Sequence, residues 1–377
     1  MNRSQSSNQM PPERPLADAS ALRVALFSDS FPERNGAGAY YHDLAGQLEP
    51  ALEAFQMFQP VVKKRFLKFA LPLPGDSTQK LITPNLFRIR REFAEIQPHL
   101  VIAVTPGPFG LFGLYLARRN KIPFITAFHT HFEGLIRLYG NNILYRSAHW
   151  YLEKINSVFC RRSETVLVNN ASLVPTVTNL GAPHVDVMGT PLCSEFLETP
   201  FKPPRGHLRQ VLFAGRLAPE KNLPAILEAI KALPDIQFVL AGDGPLRGRV
   251  EKARKTCPNL RLTGWLDRPH LREEMDNADL LILPSHMETF GTVALEAMAR
   301  GRPAMVAASA GIHQWPVLED ALFKLEEGTS VEQELHKIAA LPPETWQKKA
   351  LAARQAAQTL NQETITDWIR LVVQYAR

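Results

Sequence analysis

The sequence predicts an α/β protein built from two Rossmann-like halves, and three observations carry that prediction. Short apolar runs of strand length alternate with longer amphipathic stretches, the pattern of parallel sheets covered by helices on both faces. The alternation breaks at Thr199-Pro-Phe-Lys-Pro-Pro-Arg-Gly206, a proline-rich stretch that reads as a linker. Each half also holds a strand, a loop and a helix start suited to an anion, at the strand ends where open α/β sheets bind ligands. At 377 residues the chain is long enough for two domains with full cores.

Composition narrows the class. With 45% apolar and 21% charged residues, the chain has ordinary globular proportions. No window approaches eighteen uninterrupted apolar residues, so no membrane-spanning helix is expected. Met1 to Ser20 is polar and proline-containing, which predicts a disordered tail and no signal peptide. Cys160, Cys193 and Cys257 are scattered and odd in number, which fits a reduced cytoplasmic protein without a disulfide framework. The net charge of +6 favours an anionic partner. No nucleic-acid-binding motif accompanies the charge, so a phosphorylated ligand or a membrane surface is expected and nucleic acid is not.

In order, Arg23–Phe27 reads as a buried strand followed by Asn35-Gly36-Ala37-Gly38 and a helix from Ala39 to Leu48. Glycines let backbone approach a ligand closely; a dinucleotide fingerprint would need a third glycine at the proper spacing. Residues 50–84 give a poor reading. Within them, Val61 to Leu71 mixes Lys63, Lys64, Arg65 and Lys68 with bulky apolar residues. That segment suits an anionic bilayer surface, or equally a partly solvated strand or helix edge. Strands follow at Pro98–Val104, Ile122–Phe128 and Thr165–Val168, with helices from Pro108 to Arg119 and Leu144 to Arg161. His129, His131 and Glu133 are metal-ligand types that could share a face at a strand end. No further ligand set with metal spacing accompanies them, so no metal site is expected.

The second half opens with Gln210–Ala214 and Gly215-Arg216-Leu-Ala-Pro-Glu-Lys221-Asn222 before a helix near Pro224. Arg216 and Lys221, a planar fork and a point charge, could converge on one diphosphate. Further strands are read at Phe238–Ala241 and Leu262–Leu266. Asp279–Leu283 is a buried strand leading into Pro284-Ser-His-Met-Glu288-Thr-Phe290-Gly291-Thr292-Val-Ala-Leu-Glu296 and a helix that Gly301-Arg-Pro303 stops. The amides of Phe290, Gly291 and Thr292 would be open donors at the positive end of that helix. Glu288 and Glu296 flank them. Ala304–Ala307 reads as a strand and Glu344 to Arg377 as helices.

The string Pro284-Ser-x-x-Glu-x-Phe-Gly-x-x-x-Leu-Glu-Ala-Met-Ala-x-Gly-x-Pro303 closely resembles the donor-site signature of retaining GT-B glycosyltransferases of family four, also called glycosyl transferases group 1. Gly-Arg-Leu-x-x-Glu-Lys-Asn222 and Phe128-His129-Thr130 match further motifs of that family. The resemblance covers residues 21 to 325 and is strongest over 210–303. It implies a GT-B fold, two Rossmann-like domains facing an interdomain cleft. Residues 21–203 would form the acceptor-side domain, residues 204–355 the nucleotide-sugar domain, and 356–377 a helix returning to the first. By the same resemblance, Glu288 contacts donor sugar hydroxyls and Glu296 the ribose. Arg216 and Lys221 neutralise the leaving diphosphate, with the amides of Phe290, Gly291 and Thr292. Gly36 and Gly38 face the donor across the cleft, and His129 lies beneath the donor sugar. Arg137, Tyr139 and Gly140 fall in the acceptor-shaping region. Two departures stand out: Gly189-Thr190-Pro191 replaces the usual Gly-Val-Asp, and Ser309-Ala-Gly311-Ile-His313 replaces a Gly-Gly-type loop with its acidic pair.

The expected reaction moves a hexose of mannose or glucose type from a GDP- or UDP-linked donor to a lipid or glycan hydroxyl, with retention and without a metal. A peripheral position at the inner face of the membrane would suit a lipid acceptor. A GT-B phosphorylase or epimerase, or a sugar-nucleotide-binding protein that has lost catalysis, remain alternative readings.

Overall fold

The computed structural model describes residues 16–30, 36–60, 71–73, 76–128, 143–200 and 202–376. The last residues of the expected tail are ordered. Leu16–Ala21 forms a 3-10 turn, and Ala19 packs in the first core.

Two six-stranded parallel sheets organise the described chain. In the first, β1 (Arg23–Phe27), β2 (Ala54–Phe58), β5 (Leu100–Ala103), β6 (Phe124–Phe128), β7 (Val166–Val168) and β8 (Val185–Val187) lie in the order β2-β1-β5-β6-β7-β8. An antiparallel hairpin, β3 (Leu71–Leu73) with β4 (Asp76–Leu81), stands apart. The second sheet joins β9 (Gln210–Ala214), β10 (Gln237–Ala241), β11 (Leu260–Gly264), β12 (Leu280–Leu283), β13 (Ala304–Ala307) and β14 (Leu322–Leu325) in the order β11-β10-β9-β12-β13-β14. Strand order therefore reverses between β1 and β5 in one sheet and between β9 and β12 in the other. Those switch points open the crevices where α/β sheets bind ligands.

Alternation along β1 separates the two faces of the first sheet. Val24 and Leu26 meet the helix Gly36–Leu48 and the end of the last helix. Ala25 and Phe27 meet the helices Leu86–Ile96, Pro108–Asn120 and Ile143–Arg162. One continuous apolar core fills the second domain.

The last helix, Pro343–Tyr375, runs 33 residues, about 50 Å at 1.5 Å per residue. Its first half buries Trp346, Ala353, Ala357 and Leu360 in the second core. Its second half buries Trp368, Leu371 and Val372 in the first. The hinge segment around Gly189 is clamped between this helix and Gly36–Leu48. Tyr40 Oη donates to the Gly189 carbonyl at 2.9 Å while accepting from Trp368 Nε1 at 3.0 Å. Asn361 Oδ1 accepts the Leu192 amide at 2.7 Å. A Cβ at Gly189 would lie 2.0 Å from Thr364 Oγ1, so the lack of a side chain at Gly189 makes room for the returning helix.

The proline-rich linker is also held. Arg300 is fully buried, pairs with Asp276 at 2.8 Å, and donates to the carbonyls of Phe196, Thr199 and Pro200. Arg302 adds the Lys202 carbonyl. Two buried cations at a helix end thus anchor the crossing between domains.

Candidate functional site

The helix Thr292–Ala299 begins where β12 and its loop end. Gly291 sits at φ 107°, a left-handed conformation that favours glycine. It lets the chain turn from the loop into the helix. Among the described residues, the amides of Phe290, Gly291 and Thr292 donate no hydrogen bond, so three open donors face the crevice at a helix N-terminus. Phe290 is buried edge-to-face on Trp315, with ring centroids 6.4 Å apart. The amides of Gly311 and Ile312 hold the carbonyls of Glu288 and Phe290 at 3.2 and 3.1 Å. The divergent loop after β13 therefore braces the segment that carries Glu288.

Lys221 ends a 3-10 turn, Pro219–Lys221, in the loop after β9. Its Nζ lies 2.5 Å from Glu288 Oε2, and both side chains are under one-fifth exposed, at 18% and 14%. Ser285 Oγ reaches the same carboxylate oxygen at 3.4 Å. Arg216 lies 3.7 Å from Glu220, and the Glu220 carbonyl accepts the His286 amide at 2.8 Å. The loops after β9 and β12 are thus joined, with two cations, two carboxylates and an open helix end at one switch point.

Glu296 lies in the same helix but not in solvent. Burial, with the Asp43 carboxylate adding to it and Arg268 opposing it, pushes its carboxyl up to about 8. Asp43 belongs to the first domain and Arg268 to the second. Their guanidinium–carboxylate pair is bidentate, at 2.5 and 2.7 Å, across the cleft. Burial also raises the Asp43 carboxyl, against the pull of Arg268.

On the first-domain side, Gly36 and Gly38 open the helix Gly36–Leu48. His129 falls outside the described residues, as do His131, Glu133, Arg137, Tyr139, Gly140 and the segment 61–70. At this domain's own switch point, Asp29 accepts from Thr105 Oγ1 at 2.6 Å and from the amides of Gly107 and Phe109 at 3.1 and 2.9 Å. It caps the helix Pro108–Asn120. Burial raises its carboxyl while these donors lower it.

Further groups cross the cleft. Asn170 Nδ2 donates to the Thr289 carbonyl at 3.0 Å. Gln314 accepts from the Ala171 amide at 2.6 Å and donates to the Asn169 carbonyl at 3.0 Å. None of Asp43, Arg268, Asn170 or Gln314 stands out in the sequence. Each matters through a partner in the other domain, and only Gly311, close to Gln314, carries a local signal.

Two family profiles match consecutive parts of the chain: Glycosyltransferase Family 4 over residues 34–190 and Glycosyl transferases group 1 over residues 198–320. The chain belongs to this glycosyltransferase family. Among curated relatives, the chain is 26% identical to sulfoquinovosyl transferase SQD2 of Arabidopsis thaliana, over 60% of this chain and 46% of that one. It is 28% identical to a GDP-mannose-dependent alpha-mannosyltransferase of Mycobacterium tuberculosis, over 63% and 62%. These matches span about half to three-fifths of the relatives' own lengths. Among solved structures, sucrose-phosphate synthase from Thermosynechococcus elongatus aligns with TM-score 0.73 at 16% identity, over 94% of this chain and 98% of that one. Anabaena Alr3699/HepE in complex with UDP-glucose aligns with TM-score 0.63 at 17% identity, over 93% and 99%. The chain thus has the GT-B fold. No helix among the described residues is long and apolar enough to cross a membrane.

Proposed function

We propose that this glycosyltransferase moves a hexose of mannose or glucose type from a GDP- or UDP-linked donor to an acceptor hydroxyl, with retention at the anomeric carbon. The observation that carries the reading is the Lys221–Glu288 pair beside the open amides of Phe290–Thr292. A diphosphate seated on those amides would meet Lys221 and Arg216 as counter-charges. Glu288, released from part of its pairing with Lys221, would accept donor sugar hydroxyls, and Glu296 the ribose. In the transfer, the bond from C1 to the diphosphate oxygen breaks and the diphosphate keeps the electron pair. The acceptor oxygen bonds to C1 from the same face, and its proton passes to the departing phosphate. Charge on the leaving group is met by fixed cations and amides, an electrostatic contribution that grows as the bond breaks. No metal is invoked. Closure of the two domains would keep water, a competing acceptor, from the sugar.

For the acceptor, a lipid or envelope glycan at the inner membrane face is the reading that the surface supports. Helices on one face of the first sheet expose Phe87, Leu111, Tyr115, Trp150 and Tyr151 amid Arg88, Arg91 and Arg118. Aromatic and cationic side chains together suit an anionic interface, and the basic segment 61–71 would add to it.

Thermal-shift screening against GDP-, UDP- and ADP-sugars identifies the donor, because a specific donor stabilises the folded chain by mass action. Nucleoside diphosphate is expected only when acceptor is added, which separates transfer from a phosphorylase or epimerase, and NMR of the product should show the donor's anomeric configuration. If Glu288→Ala and His129→Ala both leave the transfer rate untouched, the reading is wrong.

A further inference from the structure

We propose that Asn170 and Gln314 are positioning residues that couple closure of the two domains to the placement of Glu288. The inference rests on reading Glu288 as a donor contact.

Three successive carbonyls of the donor loop are held by three different groups. The Gly311 amide takes the carbonyl of Glu288 and the Ile312 amide that of Phe290, both within the second domain. The middle carbonyl, Thr289, is taken at 3.0 Å by Asn170 Nδ2 from the end of β7 in the first domain. The orientation of the Asn170 amide is set by its other partner. Its oxygen accepts the Ser172 amide at 2.8 Å, which leaves the NH2 group facing the cleft. Gln314 makes the reciprocal contact. Its oxygen accepts the Ala171 amide and its nitrogen donates to the Asn169 carbonyl, so both ends of one second-domain amide engage first-domain backbone.

Gly311 shows how tight this junction is. A Cβ there would fall 1.9 Å from the Thr289 carbonyl oxygen and 2.5 Å from Asn170 Nδ2. Only a residue without a side chain lets Asn170 reach the loop. When the domains part, Thr289 loses its partner and the Gln314 contacts break in the same movement, so the peptide next to Glu288 is fixed only in the closed arrangement. A loose catalytic loop costs rate through geometry, since small displacements of a positioned group lower the effective concentration steeply.

Asn170→Asp is the discriminating variant. It keeps an oxygen for the Ser172 amide but sets a carboxylate oxygen against the Thr289 carbonyl. With UDP-glucose or GDP-mannose as donor and an acceptor that supports release by the wild type, nucleoside diphosphate release by Asn170→Asp should fall at least tenfold in kcat. The Kd for UDP or GDP should stay within twofold, because the diphosphate groups proposed above all lie in the second domain. Small-angle X-ray scattering of the ligand-free protein should show a larger radius of gyration for Asn170→Asp combined with Gln314→Glu than for wild type. An unchanged radius, a wild-type kcat, or a parallel fall of kcat, nucleotide affinity and Tm would each overturn the coupling. Glu288→Ala measured alongside separates the two ideas. If it is silent, the donor reading fails; if it is inactive while Asn170→Asp is normal, the coupling alone fails.

Discussion

The two domains repeat one architecture, and their switch points carry opposite charge. In the first domain the loop after the opening strand presents Asp29, whose carboxylate is spent on Thr105 and the amides that start the helix Pro108–Asn120. In the second, the corresponding loop presents Arg216 and Lys221, and the amides that start the helix Thr292–Ala299 stay open. A helix N-terminus attracts an anion. One domain meets that demand from its own chain; among the described residues the other does not, which on the proposed reading leaves it for a ligand. The difference teaches why a symmetric fold would hold its nucleotide on one side only.

The largest effect that could break this comparison is on catalysis. Lys221→Ala and Glu288→Ala should each lower kcat about 100- to 1000-fold, the usual range for removing a group that stabilises transition-state charge. Circular dichroism should keep the wild-type spectrum, while Tm falls by several degrees because each change leaves a largely buried charge without its partner. Wild-type rates in either variant would show that the second switch point is not where the donor reacts.

Glu296 sharpens the comparison through pH. In the unfolded chain a glutamate titrates near 4.3, whereas here burial and Asp43 push Glu296 up to about 8. The folded state therefore holds a proton that the unfolded state has lost across the interval between those values. Stability linked to this group is fully present below the unfolded value and is lost as pH rises through about 8. Each pH unit in that interval carries about 1.4 kcal/mol, so the loss is on the order of a few kcal/mol. Tm should fall between pH 5 and 9, and Glu296→Gln, which cannot ionise, should flatten that fall. An identical pH profile for the variant would mean that Glu296 is solvated.

Much of this molecule was legible from its sequence because apolar strands and glycine-bounded helix starts are local signals. The strands Arg23–Phe27, Gln210–Ala214 and Ala304–Ala307 and the helix start at Thr292 follow from such runs. Two of the four edge strands of the parallel sheets were not legible. Ala54–Phe58 and Leu322–Leu325 interrupt their apolar pattern with Gln56 and Lys324, as strands with a solvated side do. Charge pairs across the cleft were invisible for a different reason. Asp43 and Arg268 lie 225 positions apart, and their meeting depends on how two finished domains dock. Arg300 was illegible for the same reason, since the linker carbonyls it holds at Phe196, Thr199 and Pro200 lie about a hundred positions away.

The smallest effect tests the first domain. Asp29→Asn keeps the shape of the side chain but replaces one accepting oxygen with an NH2 group, which cannot accept from the Gly107 or Phe109 amide. Leaving a buried amide without its acceptor costs about 1–3 kcal/mol, and for a domain of this size about 2–4 °C in Tm per kcal/mol. Because Asp29 caps a structural helix and serves no donor in the proposed reaction, kcat and KM should stay within about twofold of wild type while Tm drops. A loss of kcat that exceeds the loss of stability would mean that the first switch point also handles substrate. The division of labour between the two halves would then be less complete than their charges indicate.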